Sequence, residues 1–148
     1  MKKRYTIDTT ALMSYFSDTF QIECKISKDA INIIDEAFDE NKHIIQIPSI
    51  VFVEIFSKQF TTPEKAAQIR YVVYEKIRGC ENVSIEAIDK ELLECFIQIT
   101  DIEANHNFDN HDKIIFATAM KYQNPLITSD LRLIRYNRRK RLIPGIIT

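Results

Sequence analysis

Apolar residues along this chain follow two rhythms, short continuous runs and stripes spaced three and four residues apart, and the two take turns. The run Arg4 to Ile7 predicts a short strand ending at Asp8, and Thr9 or Thr10 is placed to cap a helix reaching about Phe20. Ser27 predicts a second helix start, after which Ala30, Ile33, Ile34, Ala37 and Phe38 hold one stripe. His43 to Ile47 reads as a buried strand closed by Pro48, and Ser49 opens a helix to about Lys58. Thr62 and Pro63 mark another helix start, with proline in the first turn and Gly79 as the stop after Arg78. Asn82 to Ala87 is a strand candidate, followed by a helix from Asp89 to about Glu103 and a loop from His106 to Asp109. A helix over Asn110 to Tyr122 ends before Asn124-Pro125, Leu126 to Thr128 is a short buried strand, and Leu131 to Asn137 is a short helix. Leu142 to Ile147 completes the pattern as a last strand.

Strands alternating with helices predict an α/β fold built from βαβ crossovers around a mostly parallel sheet. At 148 residues, without a linker, repeat or low-complexity segment, the chain reads as one domain over residues 1–148. Ligands of such sheets bind beyond the carboxyl ends of the strands. Asp8 and Asp130 each directly follow a strand, so two acids from opposite ends of the chain are expected at one edge.

Composition narrows the chemistry. A hydrophobic fraction of 45% with 28% charged residues is that of a globular domain. Two glycines are too few for a Walker loop or a dinucleotide fingerprint, which excludes the usual ATP, GTP and NAD sites. Three dispersed cysteines without a CxxC pair read as reduced thiols. The start MKKRYTIDTT lacks the apolar core of a signal peptide, and charges interrupt every apolar stretch before a bilayer-spanning length, so a cytoplasmic protein without a membrane segment is expected. The net charge of −1 conceals a basic block, Arg132, Arg135, Arg138, Arg139, Lys140 and Arg141, with no acid within it. That block reads either as a solvated helix face or as a track for a polyanion.

Two further carboxylates stand on apolar faces. Glu54 lies within Ile50-Val51-Phe52-Val53-Glu54-Ile55-Phe56, where burying an unpaired charge costs several kcal/mol, roughly; a Glu54–Lys58 pair at i, i+4 is the plainer alternative. Asp112 shares a helix face with Ile115, Phe116 and Ala119. It also suits a capping arrangement with Asp109. Asp8 is redundant as a cap if Thr9 or Thr10 serves, whereas Asp130 fits a turn or a cap. Jointly, four convergent carboxylates repel one another, and a hard divalent cation such as Mg²⁺ or Mn²⁺ relieves that repulsion.

At these residues the chain resembles the PIN-domain nucleases, most closely the VapC-like toxins of prokaryotic toxin–antitoxin pairs. Tyr5-Thr6-Ile7-Asp8-Thr9-Thr10-Ala11-Leu12 is similar to the family's first strand, acid and helix start. Ile47-Pro48-Ser49-Ile50-Val51-Phe52-Val53-Glu54-Ile55 is similar to its second motif, Asp112-Lys113-Ile114-Ile115-Phe116-Ala117-Thr118-Ala119 to its third, and Leu126-Ile127-Thr128-Ser129-Asp130 to its fourth. The resemblance spans nearly the whole chain and implies a five-stranded parallel sheet, RNA as substrate, an antitoxin protein and a second copy of the chain as partners. It implies that Asp8, Glu54, Asp112 and Asp130 form a catalytic Mg²⁺ or Mn²⁺ site. In this reading Asp8 and Asp112 hold the cation most directly, Glu54 positions water or acts as base, and Asp130 completes a second site or orients water. Hydrolysis by water leaves 5′-phosphate and 3′-hydroxyl ends. Thr10, Thr128, Ser129, Arg138 and Arg139 are candidate substrate contacts. Thr10 stands where many relatives carry Asn, and the further acid Asp109 reads as a helix cap.

Other readings carry less. His106, Asp109, His111 and Asp112 are irregularly spaced for zinc and have no cysteine nearby. Phe52, Phe56, Tyr71 and Tyr74 sit at helical spacing and read as core or dimer-interface residues. A haloacid-dehalogenase-like phosphatase also places an acid after its first strand, but the second acid usual two residues later is Thr10 here. A stand-alone RNA-processing nuclease and an inactive PIN-fold binding module remain the alternatives.

Overall fold

The computed structural model of the chain describes residues 2–99 and 109–148. The elements follow the predicted order: β1 (Lys3–Ile7), α1 (Thr9–Tyr15), α2 (Ser17–Phe20), α3 (Lys28–Phe38), β2 (His43–Pro48), α4 (Ser49–Gln59), α5 (Pro63–Ile69), α6 (Glu75–Arg78), β3 (Val83–Glu86), α7 (Lys90–Phe96), α8 (Asn110–Tyr122), β4 (Leu126–Ile127), α9 (Leu131–Lys140) and β5 (Ile146–Ile147). The five strands form one sheet in the order β3-β2-β1-β4-β5. Every pairing is parallel, with Tyr5 opposite Ile45, Ile45 opposite Val83, Ile7 opposite Ile127 and Ile127 opposite Ile147.

This order has a functional consequence. From β1 the chain winds outward through β2 to β3, then returns across β1 to build β4 and β5 on the other side. The crossovers therefore diverge at the border of β1 and β4, and the carboxyl edge there is a topological switch point. Asp8 follows β1 and Asp130 follows β4 at that border.

Both faces of the central strands are covered, as an all-parallel sheet requires. Ile7, Ile45, Ile47, Leu126 and Ile127 are buried with Leu12, Ile34, Ile55, Ile115, Phe116 and Leu133 from the helices. A buried polar ladder ties the strands together. Asn124 donates to Gln46 Oε1 at 2.5 Å, and Gln46 donates to Glu86 at 3.0 Å. Ser84 and Tyr122 also donate to Glu86, both at 2.7 Å. Satisfied in this way, the polar groups fix strand register without the cost of an unpaired one.

Several helix starts are capped by side-chain oxygens: Ser27 accepts from Ala30 N at 3.2 Å, Thr62 from Lys65 N at 3.1 Å and Asp89 from Leu92 N at 2.9 Å. Several boundaries depart from the sequence reading. The first helix breaks at Phe16, which leaves helical geometry where its ring packs edge-on against Phe38, 6.2 Å away. The long helix after Pro63 passes through a wider, π-helical turn at Arg70–Tyr74. There Tyr74 meets Phe52 at 5.7 Å and Phe56 at 5.9 Å, whereas Tyr71 lies outside the core at 80% exposure. α7 ends at Phe96, where Ile99 N bonds back three residues to Phe96 O at 3.1 Å; the helix expected as far as Glu103 and the loop from His106 otherwise lie outside the described residues. α9 continues to Lys140, one turn beyond the expected end, so the basic block is helical.

With so few glycines, left-handed backbone falls to other residues: Gln21, Asn41, Gln123 and Arg141 have φ of 55°, 55°, 51° and 54°. Each carries a cost of roughly 1–2 kcal/mol in Cβ crowding that glycine avoids. Replacing the exposed Gln21, at the end of α2, with glycine is expected to raise the unfolding free energy by a few tenths to about 1 kcal/mol, net of the entropy that glycine loses. Urea denaturation of Gln21→Gly measures it. Truncation of the fully buried Ile47 to alanine is expected to lower the same quantity by about 2–5 kcal/mol.

Candidate active site

At the switch point a polar cleft of about 190 Å³ is lined by Asp8, Thr9, Thr10, Glu54, Lys58, Asp109, Asp112, Ile115, Asp130 and Arg132. All four acids singled out from the sequence meet here, brought by four different elements. Asp8 ends the turn after β1, Glu54 projects from the middle of α4, Asp112 from the first turn of α8, and Asp130 from the start of α9. Packing of α8 against β1 and α4, and of α1 against α4, holds these origins together.

Asp8 is the most enclosed of the four, with 5% of its surface exposed. One carboxylate oxygen accepts from Ala11 N at 2.8 Å, and the other accepts from the Thr128 hydroxyl. Asp8 therefore caps α1 itself, which corrects the expectation that it is redundant there. Thr9, the expected cap, donates its hydroxyl to Glu54. Burial pushes the Asp8 carboxyl up to about 7; Asp130 and Asp112 add to the rise, and the bonds from Thr128 and Ala11 oppose it.

Glu54 makes the plainer pair and also lines the cleft. Its second oxygen lies 3.1 Å from Lys58 Nζ, the i, i+4 pair, yet the side chain is only 13% exposed and faces the cleft. His111 Nδ1 lies 3.7 Å from the same oxygen. α4 is not buried all round, because Val53 beside Glu54 is exposed.

Asp112 and Asp130 share one arginine. Arg132 Nη2 donates to Asp130 Oδ2 at 2.8 Å and to Asp112 Oδ2 at 3.2 Å, while its Nε donates to Asp130 Oδ1 at 3.2 Å. Desolvation, with Asp109 and Asp130 nearby, raises the Asp112 carboxyl to about 6 despite Arg132. For Asp130, burial is outweighed by the bonds from Arg132, and its carboxyl is held below the usual range. Asp130 also caps α9 through Arg132 N at 2.9 Å, and Asp109 caps α8 through Asp112 N at 2.8 Å, as expected of it.

Of the candidate substrate contacts, Thr10 lines the cleft and is exposed. The Thr128 hydroxyl is directed at Asp8 and also accepts from Asp130 N at 3.0 Å. Ser129 is half-buried beside Asp130, and Arg138 and Arg139 lie in the last turn of α9, away from the cleft. Sequence reasoning missed Thr9 and Arg132 as parts of the site, and weighed His111 only for zinc. Glu54, Asp109 and His111 bring one ligand atom each within 4.8 Å of one another, a group that shares only Glu54 with the expected quartet. Among the described residues, no helix is long and apolar enough to cross a membrane.

The donor set fits a small, oxygen-preferring divalent cation. Among the described residues, five carboxylates line the cleft against two basic side chains, Lys58 and Arg132, so acidic groups are in excess. Burial raises the carboxyls of Asp8 and Asp112, and the neighbouring acids add to the rise.

Neither a protein-family model nor a curated protein matches the chain. Solved structures do. The chain is similar to one in VapBC2 from Rickettsia felis, bound to a promoter DNA fragment, with a TM-score of 0.62 and 16% identity over 96% of both chains. It is similar to FitAcB from Neisseria gonorrhoeae, with a TM-score of 0.65 and 12% identity over 97% of this chain and 96% of that one. A FitAB structure bound to a DNA fragment matches with a TM-score of 0.56 and 16% identity over 86% and 85%. At these identities the likeness is one of fold: an all-parallel five-stranded sheet flanked by helices, as in PIN-like domains.

The electrostatics predict a pH dependence. Because the Asp8 carboxyl in the folded protein stands above its ordinary 3.8, the folded state holds the proton more tightly than the unfolded state. Stability of the protein kept in EDTA is therefore expected to be greatest at low pH, on this account, and to fall as pH rises from about 4 through about 7. Asp8→Asn, which preserves the cap, is expected to flatten most of that slope in melting curves.

Proposed function

We propose that this chain is a PIN-type, Mg²⁺- or Mn²⁺-dependent endoribonuclease, acting as the toxin of a toxin–antitoxin pair. The observation that carries the proposal is the convergence of Asp8, Glu54, Asp112 and Asp130 on one cleft at the switch point of a parallel sheet. The sequence resemblance to VapC-like toxins and the shared fold with chains in VapBC2 and FitAB support the same reading, with a small antitoxin protein and a second copy of the chain as partners.

When bound, the cation supplies charge relief at the phosphate, a more acidic water and stabilisation of the leaving oxygen. Asp8 and Asp112, whose raised carboxyls gain most from a cation, hold it. Thr128 and Ala11 fix the Asp8 carboxylate where it lines the cleft, one bond to each oxygen. Glu54, steadied by Thr9 and Lys58, stands across the cleft to orient water or take its proton. Ile115 forms an apolar wall beside them. Thr10 is placed at the open side to meet the substrate. α9 carries Arg138 and Arg139 about 12–14 Å beyond Asp130, at 1.5 Å per residue, where they would meet an RNA backbone leaving the cleft. Arg139 also packs over the Tyr136 ring, 5.7 Å from its centre.

A panel of structured RNAs incubated with Mg²⁺, Mn²⁺ or EDTA tests the reading. Cleavage with 5′-phosphate products is expected with either metal and none with EDTA, and Asp8→Asn and Asp112→Asn are expected to cut at least about a hundredfold more slowly. Parental rates in both variants would remove these residues from the reaction. The triple replacement of Arg138, Arg139 and Arg141 by alanine is expected to lower the salt-dependence slope of RNA binding by about 0.7 for each phosphate that is no longer neutralised. An unchanged slope would leave the basic helix end a merely solvated face.

A further inference from the structure

Arg132 stands in an unfavourable place for a cation. It is the second residue of α9, where the helix dipole presents its positive end. Its side chain nonetheless folds back into the acid cleft, although it is about half exposed and has open water beside it. Its partners there include two carboxylates. The planar fork binds Asp130 through Nε and Nη2, and Nη2 reaches Asp112 on a different helix. Asp112 and Asp130 are 17% and 22% exposed, so the ion pairs are partly sheltered from solvent screening.

These are oxygens that a cation reaching from Asp112 towards Asp130 would use. A guanidinium and a divalent ion cannot both occupy the space between them. We infer that Arg132 is a built-in competitor for the cation: it closes the Asp112–Asp130 side of the site until the metal displaces it. The inference rests on the metal-site reading above and adds an intrinsic control of metal affinity. If the arginine is engaged for most of the time, the apparent affinity is reduced by the fraction of molecules in which the carboxylates are free. Once displaced, the guanidinium lies on the exposed face of α9 with Arg135 and Arg139, at i, i+3 and i+7. Loading of the metal would then add a positive charge to the helix face that leads away from the cleft.

Calorimetric titration of the full chain with Mn²⁺ alone tests this, on the parent, Arg132→Ala, Arg132→Lys and Arg70→Ala, which removes a distant exposed arginine. Arg132→Ala is expected to bind Mn²⁺ about tenfold tighter than the parent. Arg132→Lys, which keeps the charge but loses the fork, is expected to fall between them, and Arg70→Ala to match the parent. In EDTA, Arg132→Ala is expected to melt below the parent, and the gap is expected to close in excess Mn²⁺. Equal or weaker Mn²⁺ binding by Arg132→Ala, with the parent binding normally, would overturn the competitor role and leave the metal site standing. Should Arg132→Ala fail to fold, Arg132→Lys carries the test by the same criterion. No Mn²⁺ binding by any variant, the parent included, would overturn both readings.

Discussion

Carboxylates repel, and a protein that gathers them at one edge of its sheet must supply opposing charge or hydrogen bonds for each. In this chain the supply is specific. Asp8 receives the Ala11 amide and the Thr128 hydroxyl, and Glu54 receives Thr9 and Lys58. Asp112 and Asp130 divide one arginine. Burial works against the provision and holds Asp8 and Asp112 well above the ordinary carboxylate range, with the neighbouring acids adding to the rise. A divalent cation would offset both.

The arrangement makes the distinction between structural and functional residues less useful than it looks. Asp8, Asp109 and Asp130 each cap a helix, and Glu54 makes the i, i+4 pair that a surface glutamate would make. None of those roles removes the residue from the cleft. A cap commits one oxygen of a carboxylate to a backbone amide and leaves the second for another partner, Thr128 at Asp8 and Arg132 at Asp130, so the helix start becomes a mount for the second use. The site is carried by three helix starts and the middle of α4, elements whose backbone is fixed by the sheet and its crossovers.

Much of this was legible from residue order. Strand-terminal Asp8 and Asp130 had to reach the carboxyl edge once the sheet was parallel, and Asp112 shared its helix face with Ile115 and Phe116, both buried. The contacts that complete the site were not legible, because they depend on how separate helices converge. Thr9 meets Glu54, and Arg132 meets Asp112, across distances along the chain that no periodicity encodes. Arg132 was hidden further by its neighbours, since it reads as one more member of a basic block. The break at Phe16 and the wider turn at Arg70–Tyr74 likewise follow aromatic packing against Phe38 and against Phe52 and Phe56, which local propensity does not register.

The central claim is that the cleft holds a divalent cation between carboxylates from different ends of the chain. Crystals grown with Mn²⁺ and measured for its anomalous scattering address it directly. The account predicts a peak about 2.1 Å from oxygens of both Asp8 and Asp112. A peak confined to some other part of the surface, or none at saturating Mn²⁺, would contradict it.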